Sequence, residues 1–262
     1  MKKKVLVTGA HGQLGSTIKE LFKENNINLD FVFVSKDNLD ITRNENLDVF
    51  FKNNTFHYCI NCAAYTNVEQ AEKTPDIAYK INAEGVKNIA LKCREYNVVL
   101  IHISTDYVFD GEKRTPYVVE DKTNPINEYG KSKLLGEKHI QNTLSNYYIV
   151  RTSWLYSKTY GKNFYKTIIN KAKTEKELFI TTEQMGCPTD TVNLSKFIIK
   201  LIQDKNLPYG IYHFCDEKAM TWYNFAEQIL KENSKTKQIQ LFKSNNYKSL
   251  TKRPKYSVLK NK

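Results

Sequence analysis

Residues 4–15 read KVLVTGAHGQLG. The aliphatic run Val5 to Val7 gives way at Thr8 to glycines at positions 9, 12 and 15, and helical spacing begins at Gln13. Each glycine has a physical task in such a loop. Gly9 permits a tight turn, Gly12 lets backbone approach a pyrophosphate, and Gly15 lets a helix pack closely on a strand, while the helix N-terminus adds partial positive charge. A glycine triplet alone is common, but one set between a strand and a helix marks a dinucleotide cradle.

Further strand-like runs follow at FVFVS, YCINCA, VVLIHIS and YYIVR, each trailed by a helix-length amphipathic segment. Helices are expected over Gln13–Glu24, Asn44–Lys52, Pro75–Tyr96 and Asn127–Gln141. Near-continuous β-branched and aliphatic runs suit strands covered on both faces, so the series predicts an α/β fold, a Rossmann-type doubly wound parallel sheet. After Arg151 the elements shorten, with GCPTDT and NLPYG as breaks and WYNFAEQILKE as a late amphipathic helix. The division expected is therefore residues 1–150 as the dinucleotide-binding domain, with later segments free to rejoin it, and 151–262 as a small C-terminal substrate lobe.

At the tip of the second strand, where an acid commonly meets the ribose of NAD, stand Ser35 and Lys36. A hydroxyl and a cation favour the extra phosphate of NADP, although Asp37 follows directly, so the cofactor reading is NADPH with NADH as the alternative. Asp40 and Ile41 are placed beside the adenine. Ala63, Ala64 and Tyr65 end the third strand against the cofactor's middle, and Ile103 on the fourth adds to its wall.

The reacting groups are sought in YGKSK, residues 129–133. Tyr129 and Lys133 are four apart in a helical segment and share one face. A free phenol is too weak an acid for rapid proton delivery at neutral pH, and an adjacent ammonium is expected to lower its pKa. Lys133 would also hold the nicotinamide ribose. The strand VVLIHIS ends in Ser104 and Thr105, at the sheet edge where such folds bind ligands, so Thr105 is expected to orient a substrate carbonyl. Hydride transfer to that carbon, with Tyr129 protonating the oxygen, is the chemistry this set suits.

Composition sets limits on the alternatives. The chain of 262 residues, 40% hydrophobic, can bury one main core and contains no apolar run long enough to span a bilayer. The basic start precedes too short an apolar run for a secretory signal. Five cysteines, an odd number in a chain of this size, point to reduced thiols and the cytoplasm. Cys59 and Cys62 form a lone CxxC on strand spacing, read as packing, and no metal is expected. The net charge of +12 suits phosphate-bearing ligands, and its spread along the chain argues against nucleic acid. Only the stretch from Lys243 to Lys262 is densely basic, with seven Lys or Arg and no acid, and it reads as a solvated end.

The runs TGAHGQLG, NCAAYTNVEQAE, INAEGVKN, STDYVFDG, YGKSKLLGE, RTSWLY, GKNF, EQMGCPTDT and RPKYSVL stand in the order found in a known group. Through them the chain resembles the extended short-chain dehydrogenases/reductases, and within these the dTDP-4-dehydrorhamnose reductases, over nearly its whole length. The resemblance implies Thr105, Tyr129 and Lys133 as the catalytic triad and Gly12, Gln13 and Leu14 as the cofactor loop. It implies Asp106 and Trp154 as substrate contacts, with Gln184, Gly186, Pro188 and Thr189 bordering a nucleotide sugar. Related dehydratases place an acid pair after the threonine, whereas here Asp106 is followed by Tyr107, which favours reduction over loss of water. The function implied is reduction of the 4-keto group of a nucleotide-activated 6-deoxy sugar, foremost dTDP-4-dehydro-L-rhamnose, for cell-surface polysaccharide. The assembly allowed for is a homodimer. Alternatives are a reductase or epimerase of another nucleotide sugar, whose diphosphate Arg253 would meet, and a non-catalytic subunit resembling the regulatory subunit of methionine adenosyltransferase. The departure from the group lies at the end, where members usually continue past the RP-containing run with another helical stretch.

Overall fold

In the computed structural model, residues 2–23, 27–234, 239–244 and 249–262 are described. β1 (Lys3–Thr8) pairs in parallel with β2 (Leu29–Val34) on one side and with β3 (Tyr58–Asn61) on the other. β4 (Val99–Thr105) and β5 (Tyr147–Thr152) extend the sheet beyond β3, again in parallel. The order therefore reverses at β1, which opens a crevice at the carboxyl ends of β1 and β3 where the glycine loop sits.

Alternation along the strands builds two cores. Leu6, Cys59, Leu100 and Ile149 face one side, where α2 (Asn44–Lys52), α5 (Gly85–Glu95) and α6 (Glu128–Thr143) cover them. Val5, Val7, Ile60, Ile101, Tyr148 and Val150 face the other, beneath α1 (Gln13–Leu21) and α8 (Thr191–Gln203). Layers on both faces are what the near-continuous apolar strands require. The sixth strand, Gly210–His213, comes from late in the chain and pairs in parallel with β5.

Several expected boundaries shift. Glu24, the expected end of the first helix, lies outside the described residues, and α1 closes at Leu21. The single helix expected over Pro75–Tyr96 is instead α4 (Pro75–Tyr79), a π-helical turn at Lys80–Glu84, and α5. That turn presents Asn82, whose side chain accepts from the Tyr65 backbone N–H at 2.8 Å and donates to Tyr65 O and Ser132 Oγ at 3.0 Å. A regular helix would aim Asn82 elsewhere, so the bulge couples the loop after β3 to α6. A short α3 (Val68–Lys73), capped by Asn67, precedes α4.

The remaining lobe has its own core. Tyr165 and Ile168 of α7 (Phe164–Lys171) meet Phe225, Ile229 and Leu230 of α9 (Trp222–Glu232), under the parallel pair Glu177–Thr181 and Gln240–Ser244. The basic stretch from Lys243 is not a solvated end. Val258 and Leu259 are buried with Phe109 and Tyr117, Leu259 bridges Tyr117, and Tyr256 bridges Met185. Lys252, Lys255, Lys260 and Lys262 are exposed while Thr251, Pro254, Ser257, Val258 and Leu259 are buried, so a charge count missed the residues interleaved with them; Lys248 lies outside the described residues. No helix among the described residues is long and apolar enough to cross a membrane.

Candidate active site

A cleft of about 930 Å³ runs along the carboxyl edge of the sheet, and the glycine loop, the end of β4, α6 and the second lobe all open onto it. Thr105 and Asp106, Tyr129 and Lys133, and Trp154 line this one space. β4 ends at Thr105 and turns at once into a short 3₁₀ segment, Asp106–Val108, with Thr105 Oγ1 accepting from the Tyr107 N–H at 3.2 Å. Across from it, Asn127 caps α6 by accepting from the Gly130 N–H at 2.8 Å, which fixes Tyr129 in the first turn and Lys133 one turn on.

Thr105 Oγ1 donates to Asp106 Oδ1 at 3.0 Å and is also hydrogen-bonded to the Tyr129 phenol, whose ring meets Tyr107 edge-on at 5.7 Å. Lys133 Nζ donates to the Ile103 carbonyl at 2.7 Å and lies 3.2 Å from His102 Nε2. This corrects one expectation. Burial pushes the Tyr129 pKa up, helped by Asp106 and Tyr107 and only partly offset by Thr105, so the net shift runs against the expected lowering. The lysine nitrogen is engaged at β4 instead. A phenol held protonated is the form that can donate a proton. Burial also raises Asp106 to about 6, against the hydroxyls of Ser257, Thr105 and Ser153, so it is a carboxylate at neutral pH and takes up a proton in mild acid.

A second cavity of about 310 Å³ lies at the β2 side, lined by Gly9, Gly12, Ser35, Lys36, Asp40, Ile41, Ala63 and Ala64 among others. Gly9 has φ +66°, and a Cβ there would meet Ala63 N at 2.7 Å, while one on Gly15 would meet Gly9 O at 2.5 Å. α1 starts at Gln13, behind Gly12, with no side-chain cap and no acid in its first turn. Gln13, Leu14 and Gly15 of its first turn line the main cleft, and an uncapped helix start there fits a dinucleotide pyrophosphate. Ser35 Oγ donates to Asn38 Oδ1 at 2.9 Å and Lys36 is exposed at the cavity rim. Asp40 accepts from the Thr42 N–H and hydroxyl. Leu14 and Ile103 line the main cleft, as expected of cofactor neighbours, but Tyr65 lines neither space.

Gln13 lines the cleft with the rest of the glycine loop and has a second contact. Its Oε1 accepts from the Ser157 N–H at 3.0 Å and from Asn163 Nδ2 at 2.7 Å, so besides lining the cleft the side chain ties α1 to the segment 157–163.

Trp154 stands at φ +47°, a conformation that strains a bulky residue. It stacks on Trp222 with ring centroids 3.5 Å apart and planes 4° from parallel, and Gln184 Oε1 accepts from Trp222 Nε1 at 3.0 Å. Gly186 seats the indole; a Cβ there would lie 2.5 Å from it. Gln184, Gly186, Pro188 and Thr189 thus stand behind the cleft wall rather than in it, Thr189 Oγ1 donating to Ser153 O at 2.7 Å. Gly186→Ala should dislodge Trp154 and lower kcat/KM for the sugar substrate by about 10²-fold with NADPH affinity intact. Steady-state kinetics beside a cofactor fluorescence titration would show it.

Trp222 and Asn163 are cleft residues that the sequence did not single out. Trp222 sat inside an amphipathic helix pattern where an aromatic signals core. Arg253 does line the cleft, with Nη2 on Glu69 Oε1 at 2.9 Å and Nη1 donating to the Tyr107 hydroxyl at 3.3 Å. Cys59 is buried in the sheet core and Cys62 borders the cleft. Among the described residues no group of three or more His, Cys, Asp or Glu side chains is placed to hold a metal ion.

A family model described as RmlD substrate binding domain matches residues 2–262. The spore coat polysaccharide biosynthesis protein SpsK of Bacillus subtilis is 38% identical over 98% of this chain and 88% of its own. A dTDP-4-dehydrorhamnose reductase of Aggregatibacter actinomycetemcomitans is 36% identical over 98% and 90%. The crystal structure of the Bacillus anthracis dTDP-4-dehydrorhamnose reductase in complex with NADP superposes with a TM-score of 0.95, at 38% identity, covering 100% of this chain and 92% of that one.

Proposed function

The chain belongs to the RmlD substrate binding domain family, and from that premise we propose that its cleft reduces the 4-keto group of dTDP-4-dehydro-L-rhamnose. It is an NADP-dependent oxidoreductase of the dTDP-4-dehydrorhamnose reductase type, acting in dTDP-rhamnose biosynthesis. The observation that carries the residue-level reading is the meeting of Thr105, Asp106, Tyr129 and Lys133 with the glycine loop in one cleft.

NADPH supplies the hydride when bound. The uncapped start of α1 would hold its pyrophosphate, and Ser35 and Lys36, which line the second cavity, would meet the extra phosphate of the adenosine half. Thr105 orients the substrate carbonyl, and Tyr129, kept protonated by burial, gives its proton to the carbonyl oxygen as negative charge develops there. Lys133 holds the nicotinamide ribose. Asp106 and the braced face of Trp154 bound the sugar, and Arg253 faces the diphosphate side. With Tyr107 in place of a second acid, elimination of water lacks a partner group. The small lobe around α7 and α9 is the substrate-binding part, and the protein works in the cytoplasm, in keeping with five free thiols. A homodimer is the assembly we propose.

An NADPH-oxidation assay across dTDP, GDP and UDP 4-keto-6-deoxy sugars, with NADH as comparison, tests this reading. Rapid oxidation with the dTDP sugar is expected. Cofactor binding with no oxidation on any of them would return the balance to a non-catalytic subunit. In the same assay Lys36→Glu should raise the KM for NADPH about tenfold and leave that for NADH nearly unchanged, since only the former loses a charge-assisted hydrogen bond. An equal rise for both cofactors would remove Lys36 from phosphate recognition.

A further inference from the structure

A file of buried polar side chains crosses the sheet behind the cleft: Thr8 on β1, Asn61 on β3, His102 on β4 and Lys133 on α6, none more than 2% exposed. Asn61 Oδ1 accepts from Thr8 Oγ1 at 2.6 Å and from the Ala63 backbone N–H at 3.2 Å. A backbone N–H can only donate, so it fixes which end of the amide is which. Asn61 Nδ2 is then the group facing His102 Nδ1, at 3.0 Å, and it too can only donate. His102 Nδ1 must accept, and in a neutral ring the proton resides on Nε2. That nitrogen lies 3.2 Å from Lys133 Nζ, which itself donates to Ile103 O at 2.7 Å. An ammonium has no lone pair to offer Nε2–H, whereas an amine has one.

We infer that His102 is a positioning residue whose Nε2–H holds the Lys133 nitrogen against the Ile103 carbonyl and favours its amine form over the ammonium. For the part Lys133 plays in turnover, this deepens the reductase reading and rests on it. The titratable groups around Lys133 are His102 from β4, Cys62 from the β3 edge, and Tyr129 and Glu137 on its own helix. Burial brings Lys133 down to about 8, with Glu137 and Cys62 pulling the other way. Burial holds His102 well below the ordinary histidine range, and Lys133 lowers it further whenever it carries its proton, so the ring stays neutral in either state of the lysine. An amine beside the phenol also leaves Tyr129 protonated, the state in which it can act as an acid.

The test uses the full chain without cofactor. Nitrogen-15 NMR of the His102 ring, assigned with His102→Gln, should show the proton on Nε2. Carbon-13 NMR of the lysine Cε, assigned with Lys133→Arg, should show Lys133 titrating near 8. In His102→Phe that titration should rise by about one unit, because the hydrogen bond favouring the amine is gone. His102→Gln, which restores an N–H close to the Nε2 position, should bring it back. A proton on Nδ1, an unchanged titration in the Phe variant, or a Gln variant that titrates like the Phe variant would each overturn the inference. If the Phe variant does not fold, the wild-type tautomer and the Gln titration still decide. Neither readout needs substrate, so a failed sugar assay and a failed His102 assignment are told apart.

Discussion

Tyr129→Phe is expected to lower kcat by about 10²–10⁴-fold, the range in which a positioned general acid contributes. The change deletes one oxygen and keeps the ring, so the edge-on contact with Tyr107 survives and the fold should be unaltered. Thr105 would still meet the substrate carbonyl, and the glycine loop would still cradle the dinucleotide. The loss should therefore fall on kcat, with NADPH affinity by fluorescence titration unchanged and the KM for the sugar moving little. Turnover near that of the wild type at saturating cofactor and substrate would remove Tyr129 from the proton-donating role, and Asp106, which takes up a proton in mild acid, would be the next group to consider.

Arg151→Ala should produce the largest loss of stability, about 3–5 kcal/mol, because it strands a buried carboxylate. Glu137 on α6 is fully buried, and Arg151 on β5 reaches it through Nε at 3.0 Å and Nη2 at 2.7 Å. Ser104 Oγ donates to the same carboxylate, and the Arg151 guanidinium lies over the Phe109 ring at 5.3 Å. The pair thus clamps α6 to the sheet directly behind Lys133. Urea unfolding should show a lower midpoint with an unchanged slope. The double variant Arg151→Met with Glu137→Gln, which leaves no unpaired charge, should recover much of the loss. A cost under about 1 kcal/mol for Arg151→Ala would mean that water reaches the carboxylate.

What was legible from the chain was local. Gly9, Gly12 and Gly15 read as a cradle because the strand, turn and helix start fall within a dozen contiguous residues. Tyr129 and Lys133 share a face because four residues make about one helical turn. Thr105 was found because a strand end in a parallel sheet is already a ligand edge. The cleft's second wall carried no such signal. Gln13 meets Asn163 across 150 positions and Ser157 across 144, and Trp154 is held by Trp222 and Gly186 from separate elements. In the chain itself these are a polar residue in a loop, a helical aromatic and a turn glycine.

The sequence by itself determined the alternating α/β order, the glycine turn between β1 and α1 and the shared helix face of Tyr129 and Lys133. These depend on backbone conformation and on neighbours within a turn or two. Only the tertiary structure decided that a late strand completes the sheet and that the basic end packs as an apolar edge. It also decided the state of the reacting groups. Lys133 was expected to draw the Tyr129 pKa down, yet the fold turns its nitrogen to Ile103 and His102 and buries the phenol, so the shift runs upward. A pKa depends on desolvation and on charges brought close in space, and neither is written in the spacing of two residues along a helix.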